Sequence, residues 1–427
     1  MQPPPHCALG LNMQIESKTC IYCASKGPFN DEHVFPAGMG GDDRNFLLVD
    51  LVCENCNTKV FSKLELSLMR RSPTGLGRQF LQTRTRDRGS RTSKPTIETK
   101  SHFILDKGGR LLEAEYDDNG AETLLAQCII EGEKILYTAQ DTQHLKKMYL
   151  ALFEILEAPT TNIITKKRAN AVSYTVDTYE WKDDEYKLVS NSTFQKPPKA
   201  GIWLENSTDN KSNYSPRFFQ KLAGQLVLRI NSDTDYTRLL RSMKRTLPSM
   251  QSKQEDAVPN SIEQPIVQIE MVIDIDGTER ALAKIGMNFL AHTFGSRFIA
   301  RPQFENIKQS ILTGTPELPF SSFGEEAENT LSDLFGNIPR QCHCVMLMGI
   351  PTDDGLCEMY FNARLYGTGA HKVLLAKQLP LTDLQLPIYF LINYETNTIT
   401  PLSMLDYQFK HGILVERFLE SLNQPQE

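Results

Sequence analysis

Four of the nine cysteines in this 427-residue chain lie in two tight pairs near the amino terminus. They are Cys20 with Cys23 and Cys53 with Cys56. In each pair two residues separate the thiols, the spacing at which one tight turn directs both sulfurs at a single tetrahedral ion. An odd total of cysteines with this spacing suits metal binding in a reducing compartment better than a disulfide framework. The pairs therefore predict a structural Zn²⁺ site with four thiolate ligands.

The segment between the two pairs is longer than the turn of a compact zinc ribbon. It contains twenty-nine residues, whereas a ribbon contains about 15–20. It reads Asp-Glu-His-Val-Phe-Pro at positions 31–36, continues through a glycine-rich turn, and ends in an apolar run at positions 46–52. Apolar, β-branched ends joined by glycines predict a strand, a loop and a second strand.

An amphipathic segment follows the second cysteine pair. Apolar side chains at positions 60, 61, 64 and 68 recur with helical spacing, and the lysines lie off that stripe. The segment predicts a helix with Asn57 at its start. The three pieces together predict a small ββα domain organised around zinc.

The order of these residues resembles the HNH endonucleases, whose ββα-metal fold recurs in restriction, homing, colicin and CRISPR-effector nucleases. The similarity covers about residues 18–70 and comprises Cys-x2-Cys, Glu-His-Val-x-Pro, Gly-Gly, Asn-Phe-Leu and Cys-x2-Cys-Asn. By position, it implies that His33 is the general base and that Asn45 fixes the orientation of this histidine. It also implies that Glu32 and Asn57 hold a catalytic Mg²⁺ or Mn²⁺ ion.

The residue types suit hydrolysis of a phosphodiester, whose negative charge repels an attacking nucleophile. A metal ion neutralises the developing charge while a base generates the nucleophile. Histidine, with an unperturbed pKa of about 6.5, is mostly neutral at pH 7 and can accept that proton. Oxygen ligands suit Mg²⁺ or Mn²⁺ and thiolates suit Zn²⁺, so the catalytic ion that the resemblance implies and the zinc ion can be sorted into adjacent sites by the type of ligand.

Two positions depart from the commoner family pattern. Glu32 stands where aspartate is commoner, and Asn57 stands where histidine is commoner, a variant that the family also contains. The extra methylene of Glu32 changes its reach toward an ion, and Asp31 is the alternative ligand.

Simpler interpretations of the same residues stay open. Two Cys-x2-Cys pairs alone are more often a structural ribbon than an enzyme, and Asn45 and Asn57 also suit a turn and a helix N-cap.

A second group, Cys342-His343-Cys344, would alternate across a strand, so its three side chains cannot easily share an ion. It predicts a buried strand.

One basic stretch stands out in a chain of net charge −6. Positions 70–100 carry nine basic residues against two acidic ones. The serine, threonine and glycine content favours a solvated linker, but the stretch could instead follow a phosphate backbone. The candidate nucleic-acid-binding residues are Arg70, Arg71, Arg78, Arg84, Arg86 and Arg88.

The remaining chain predicts a larger mixed α+β region, so the fold class expected is α+β. The predicted divisions are a nuclease domain at 15–75, a basic linker at 76–100, an α+β domain at 101–248 and an α+β domain at 265–427. A polar stretch at 249–264 predicts the linker between the last two. The last domain is expected to serve recognition, regulation or oligomerisation.

The sequence thus predicts a metal-dependent endonuclease that cleaves DNA. No apolar run reaches the length of a membrane span, and a secretion signal is not evident, so a cytoplasmic protein without membrane partners is expected. The layout resembles prokaryotic anti-phage effectors, in which the body senses a signal or partner and licenses cleavage. The partners expected are DNA, an activating ligand or protein at the carboxy-terminal region, and a second copy of the chain in a homo-oligomer. The alternatives are an inactive zinc-dependent module that binds nucleic acid or protein, and a homing or mobile-element nuclease.

Overall fold

The computed structural model is mixed α+β, as the sequence predicts, with 34% of its residues in helices and 38% in strands. It describes residues 18–40, 44–82, 97–99, 101–117, 121–168, 172–198, 200–207, 214–231, 235–255, 262, 265–319, 321–323, 325–367, 369–380 and 387–412. The chain forms two compact units. Unit 1 combines Met1–Glu98 with Met271–Glu427, and unit 2 is Thr99–Glu270.

The amino-terminal part of unit 1 has the predicted order of strand, loop, strand and helix. Its elements are β1 (Phe29–His33), a 3₁₀ turn (Ala37–Met39), β2 (Leu47–Cys53), a π-helical segment (Asn55–Phe61), α1 (Ser62–Arg70) and α2 (Pro73–Leu81). The two strands pair antiparallel, with His33 opposite Leu47. The π-helical segment continues directly into α1, and Phe61, Leu64 and Leu68 form its buried stripe.

Unit 2 contains two sheets and two long helices. Its elements are β3 (Ser101–Leu105), β4 (Leu111–Tyr116), β5 (Glu122–Leu124), β6 (Ala126–Glu131), β7 (Lys134–Thr138), α3 (Thr142–Glu157), β8 (Thr160–Arg168), β9 (Val172–Lys182), β10 (Glu185–Phe194), β11 (Ile202–Asn206), β12 (Arg217–Gln220), β13 (Leu226–Ile230), α4 (Tyr236–Glu255) and β14 (Ile266–Glu270). Eight strands have the order β10-β9-β8-β11-β13-β12-β6-β7 and four the order β14-β3-β4-β5. Apolar side chains of α3 and α4 pack together on the larger sheet to form one core.

The carboxy-terminal part of unit 1 is a long buried helix followed by an antiparallel sheet. Its elements are α5 (Ile275–Phe294), α6 (Ser296–Ile299), a 3₁₀ turn (Pro302–Phe304), α7 (Glu305–Thr313), β15 (Ser321–Phe323), α8 (Glu325–Phe335), β16 (Cys342–Pro351), β17 (Leu356–Arg364), β18 (Ala370–Pro380), β19 (Ile388–Asn393), β20 (Thr398–Ser403) and α9 (Met404–His411). The strand order is β15-β18-β17-β16-β19-β20. Apolar side chains of α8, α9 and the sheet form a separate small core.

A single hydrophobic core joins the two parts of unit 1. The ring centroids of Phe35 and Phe289 are 5.4 Å apart, and those of Phe289 and Phe390 are 4.3 Å apart. Helix α5 packs closely on the sheet, because a Cβ atom at Gly286 would lie 2.7 Å from the Cβ of Phe361. The sequence divides 15–75 from 265–427, whereas in the structure these regions share one interior. Apolar contacts between segments so far apart in the chain leave no local signal.

Two other domain boundaries in the structure also differ from the predicted ones. Helix α4 extends through Glu255 and β14 pairs with β3, so unit 2 continues past the predicted linker at 249–264. The predicted linker at 76–100 begins inside α2, and most of its basic residues lie outside the described residues.

Candidate metal centre and active site

The four predicted zinc ligands come together in unit 1. The sulfur atoms of Cys20, Cys23, Cys53 and Cys56 all lie within 4.8 Å of one another, and those of Cys23 and Cys53 are 3.6 Å apart. Tetrahedral bonds of about 2.3 Å to one zinc ion would place sulfurs about 3.8 Å apart. The donor set and its spacing therefore fit a metal ion such as zinc, as the cysteine pairs predict.

A tight turn shapes the first cysteine pair. The N–H of Ala24 donates to the carbonyl of Cys20 at 2.9 Å, and Ala24 has a φ of 57°. The Cys56 thiol and the backbone N–H groups of Cys23 and Cys53 lower the pKa of the Cys20 thiol to about 4, although burial opposes this change. The same hydrogen bond raises the pKa of Cys56, so this pair of thiols shares one proton and the thiolate, the form in which cysteine binds metal, lies at Cys20.

The end of β1 carries the predicted general base. Asp31 is exposed, Glu32 is buried and His33 is half-buried. The pairing of β1 with β2 is irregular between Asn30 and Glu32, so this burial pattern, rather than strand alternation, separates Asp31 and His33 from Glu32. The side-chain amide of Asn57 donates to the carbonyl of Asp31 at 3.1 Å. The structure thus brings Asn57 to the strand that carries Asp31 and His33. Asn57 is not an N-cap, because the helical segment begins before it and its side chain bonds β1 instead.

Glu32 occupies a different environment from the one that the HNH resemblance implies. Its side chain is buried and forms an ion pair with the ammonium of Lys284 in α5, while the amide nitrogen of Asn288 donates to it at 2.9 Å. Burial raises the pKa of Glu32, and the charge of Lys284 opposes that rise. This carboxylate faces the core, so it does not fit the role of catalytic metal ligand.

Lys284 and Asn288 connect α5 to three amino-terminal elements. The ammonium of Lys284 also lies 2.6 Å from a carboxylate oxygen of Glu65 in α1. The amide nitrogen of Asn288 donates to the carbonyl of His33 at 3.0 Å, and the Tyr22 hydroxyl donates to the amide oxygen at 2.6 Å. Sequence reasoning missed both residues. The available signal was two polar residues four apart in an otherwise apolar helical segment.

The loop after β1 contacts residues just after two strands of the carboxy-terminal sheet, Tyr366 after β17 and Tyr394 after β19. The hydroxyl of Tyr366 lies 3.2 Å from the carbonyl of Gly38. Gly40 has a φ of 80°, and a Cβ atom there would lie 2.6 Å from the Cα of Tyr394, so this position requires glycine. Asn45 is exposed, and its carbonyl accepts a hydrogen bond from the imidazole of His292 at 3.3 Å.

The predicted nucleic-acid-binding arginines lie in different environments. Arg70 is exposed, and Arg71 forms a 2.7 Å ion pair with Glu98. Arg78 is buried, with its Nε 3.3 Å from the amide oxygen of Gln82, and burial lowers its pKa. This burial makes Arg78 less suited than Arg70 to contact a phosphate. Arg84, Arg86 and Arg88 lie outside the described residues.

The second cysteine and histidine group forms a strand, as its alternation predicts. Cys342, His343 and Cys344 begin β16, and the N–H of Tyr366 donates to Nδ1 of His343 at 3.1 Å. Burial lowers the pKa of His343 to about 3 and raises that of Cys344 to about 12. Within the described ranges, the amino-terminal cysteines are the one group of histidine, cysteine and acidic side chains that could hold a metal.

No family model, no curated protein and no solved structure matches this chain. The described helices also include none with the length and apolarity needed to cross a membrane. The assignment of a function therefore depends on the residues of unit 1 and their geometry.

Proposed function

We propose that this protein is a metal-dependent endonuclease of the HNH type that cleaves phosphodiester bonds in DNA. The observation that carries the proposal is the convergence of β1 and the helical segment beside a four-cysteine cluster. Asn57 bonds the strand that presents Asp31 and His33. This is the order and connection of elements that the HNH resemblance implies.

In this proposal His33 accepts a proton from the attacking water molecule. A neutral imidazole at the end of a strand can do this while its backbone stays fixed. Asp31 and Asn57, rather than Glu32, supply the oxygen ligands for Mg²⁺ or Mn²⁺. A divalent ion held there would neutralise the charge that develops on the phosphate.

The exposed side of the helix after Asn57 offers a surface for the DNA backbone. Lys59, Lys63 and Arg70 are exposed and make no ion pair with another residue of the described chain. Their spacing places them along one side of the helix, away from the buried stripe. Basic side chains that replace condensed counterions provide most of the sequence-independent affinity for DNA.

The rival function is an inactive zinc module that binds nucleic acid or protein. The burial of Glu32 against Lys284 favours this inactive module. With Glu32 withdrawn, β1 and the helix offer the catalytic ion only two side-chain oxygen ligands, Asp31 and Asn57. The anti-phage interpretation depends on the same nuclease activity, with the remainder of the chain sensing a signal or partner.

The test is plasmid cleavage by the full chain with Mg²⁺ or Mn²⁺. We expect nicking or linearisation that His33→Ala reduces at least a hundredfold, with the zinc content unchanged at one ion per chain. His411→Ala, a histidine in α9, is the matched control and should retain activity. Cleavage confined to one long target site would favour the homing or mobile-element nuclease.

Equal cleavage by the His33→Ala variant would overturn the catalytic assignment. Zinc and DNA binding without cleavage, under either metal and with denatured or circular DNA, would favour the inactive module. Toxicity on expression that His33→Ala removes would favour an effector.

A further inference from the structure

Asn288 lies in the middle of α5 and is fully buried. Both the nitrogen and the oxygen of its side-chain amide form hydrogen bonds. Its nitrogen donates to the carbonyl of His33 at 3.0 Å and to the carboxylate of Glu32 at 2.9 Å. Its oxygen accepts from the hydroxyl of Tyr22 at 2.6 Å. Tyr22 stands between the cysteines of the first pair, so one side chain links that pair to the end of β1.

The chemistry of these contacts requires an amide. The His33 carbonyl and the Glu32 carboxylate are both acceptors, so the group between them must donate twice, while the Tyr22 hydroxyl needs an acceptor. Leucine has the size of asparagine but would remove one hydrogen bond from each of three polar groups, leaving Glu32 with Lys284 and the Tyr22 hydroxyl with the Lys284 carbonyl at 3.4 Å. Aspartate would still accept from the Tyr22 hydroxyl. It could not donate to the His33 carbonyl or to the Glu32 carboxylate.

We propose that Asn288 is a positioning residue for His33, an inference that rests on the proposed function of His33 as general base. The hydrogen bond to the His33 carbonyl fixes the backbone from which the imidazole extends. A general base must lie within about 2.6–3.2 Å of the proton it removes, and a displacement of about 1 Å can lower a rate about a hundredfold. Helix α5 thereby sets the geometry of an active site that lies more than two hundred residues earlier in the chain.

A merely structural role for Asn288 makes a different prediction. In that case the bond to buried Glu32 matters most, because it completes the environment of Lys284. The two roles therefore depend on different contacts of one amide nitrogen. A variant that restores the contact to residue 32 but not the contact to His33 separates them.

The charge-conserving double variant Asn288→Asp with Glu32→Gln provides this separation. The introduced amide at position 32 can donate to the introduced carboxylate at position 288, and Tyr22 keeps its acceptor. The His33 carbonyl, however, loses its donor. Relative to Glu32→Gln alone, we expect the double variant to unfold at a similar temperature, bind one zinc and keep its KM for plasmid, while kcat falls at least tenfold.

Tyr22→Phe is the matched control, since it removes the contact to the Asn288 oxygen and leaves both contacts to β1. It should keep kcat within about threefold of the wild-type value. If kcat of the double variant instead matches that of Glu32→Gln, Asn288 is structural and the positioning role is overturned.

A second measurement decides the matter without catalysis. In protein with ¹⁵N-labelled histidine, the ring signals of His33 are assigned by their loss in His33→Ala. We expect the double variant to shift or broaden these signals, with those of His144 and His411 unchanged. Unchanged His33 signals would overturn the positioning role. An absence of cleavage by the wild-type protein, with the shift present, would instead count against the proposed function alone.

Discussion

Lys284 is fully buried between two carboxylates, those of Glu32 and Glu65. Burial disfavours its charge, but the two carboxylates outweigh that penalty and raise its pKa. Its ammonium also lies 5.3 Å from the ring centre of Phe61. A buried ion pair is weak evidence for net stability, whereas removal of one partner leaves an uncompensated buried charge.

The substitution Lys284→Met should therefore destabilise unit 1 strongly. We expect a loss of about 3–5 kcal/mol in the free energy of unfolding, because Glu32 would remain buried without a cation. Adding Glu32→Gln should recover a substantial part of that loss. Denaturant unfolding measures both effects, with the exposed Lys63→Met as control. A small loss in Lys284→Met would mean that Glu32 is neutral or solvated in the folded protein.

His343 provides a test of pH dependence. Burial lowers its pKa to about 3 in the folded protein, whereas the unfolded value is about 6.5. The folded state then binds fewer protons, so this contribution to stability is complete above pH 6.5 and is lost as the pH falls from 6.5 toward 3. The loss amounts to about 1.4 kcal/mol per pH unit.

We expect His343→Gln, which can still accept from the Tyr366 N–H, to flatten this dependence. Hydrogen exchange of peptides from β16 and β17, measured at pH 6.5 and 4.5, reports the free energy of opening. The wild-type protein should lose roughly 2–3 kcal/mol more than the variant over this interval. Equal losses in the two proteins would mean that His343 is protonated or exposed in the folded state.

At the scale of elements, the sequence predicts what local patterns determine. The paired cysteines, the β1–β2 hairpin and the apolar stripe of α1 each depend on spacing within a few residues, and all three are confirmed. The partner of Glu32 depends on a helix that follows some 250 residues later, so no local pattern could reveal Lys284. The burial of Arg78 was missed for the same reason, because Tyr366, which interacts with it in the folded unit, follows almost 300 residues later in the chain.

The basic side of the helix that follows Asn57 carries a prediction about DNA. Lys59→Glu combined with Lys63→Glu should weaken binding of duplex DNA by His33→Ala protein at least tenfold. The double variant should also make the slope of log binding constant against log salt concentration shallower by about 2, because each phosphate contact contributes about 0.9 to that slope. Filter binding across salt concentrations measures this. The control is Lys410→Glu in α9, which makes half the change in charge, and an equal effect per substitution there would indicate non-specific electrostatics.

At the scale of the molecule, unit 2 interrupts unit 1. The chain leaves unit 1 after Glu98 and returns at Met271. Within unit 1 both ends are attached to the end of α1. The N–H of Glu98 donates to the carbonyl of Arg70 at 3.0 Å, and the N–H of Asp274 donates to the neighbouring carbonyl of Arg71 at 3.3 Å. The two ends of the interruption are therefore close together.

Replacement of residues 99–270 by a short glycine–serine linker should consequently leave unit 1 folded. Closing a short loop between neighbouring ends costs little conformational entropy. We expect one zinc per chain and a single cooperative unfolding transition.

The segment 1–98 alone should fail to fold, because Glu32, Phe35 and Phe61 would lose the buried face of α5. A folded, zinc-bound 1–98 segment would show that the amino-terminal domain is autonomous, as the sequence alone suggests, and that α5 only covers it.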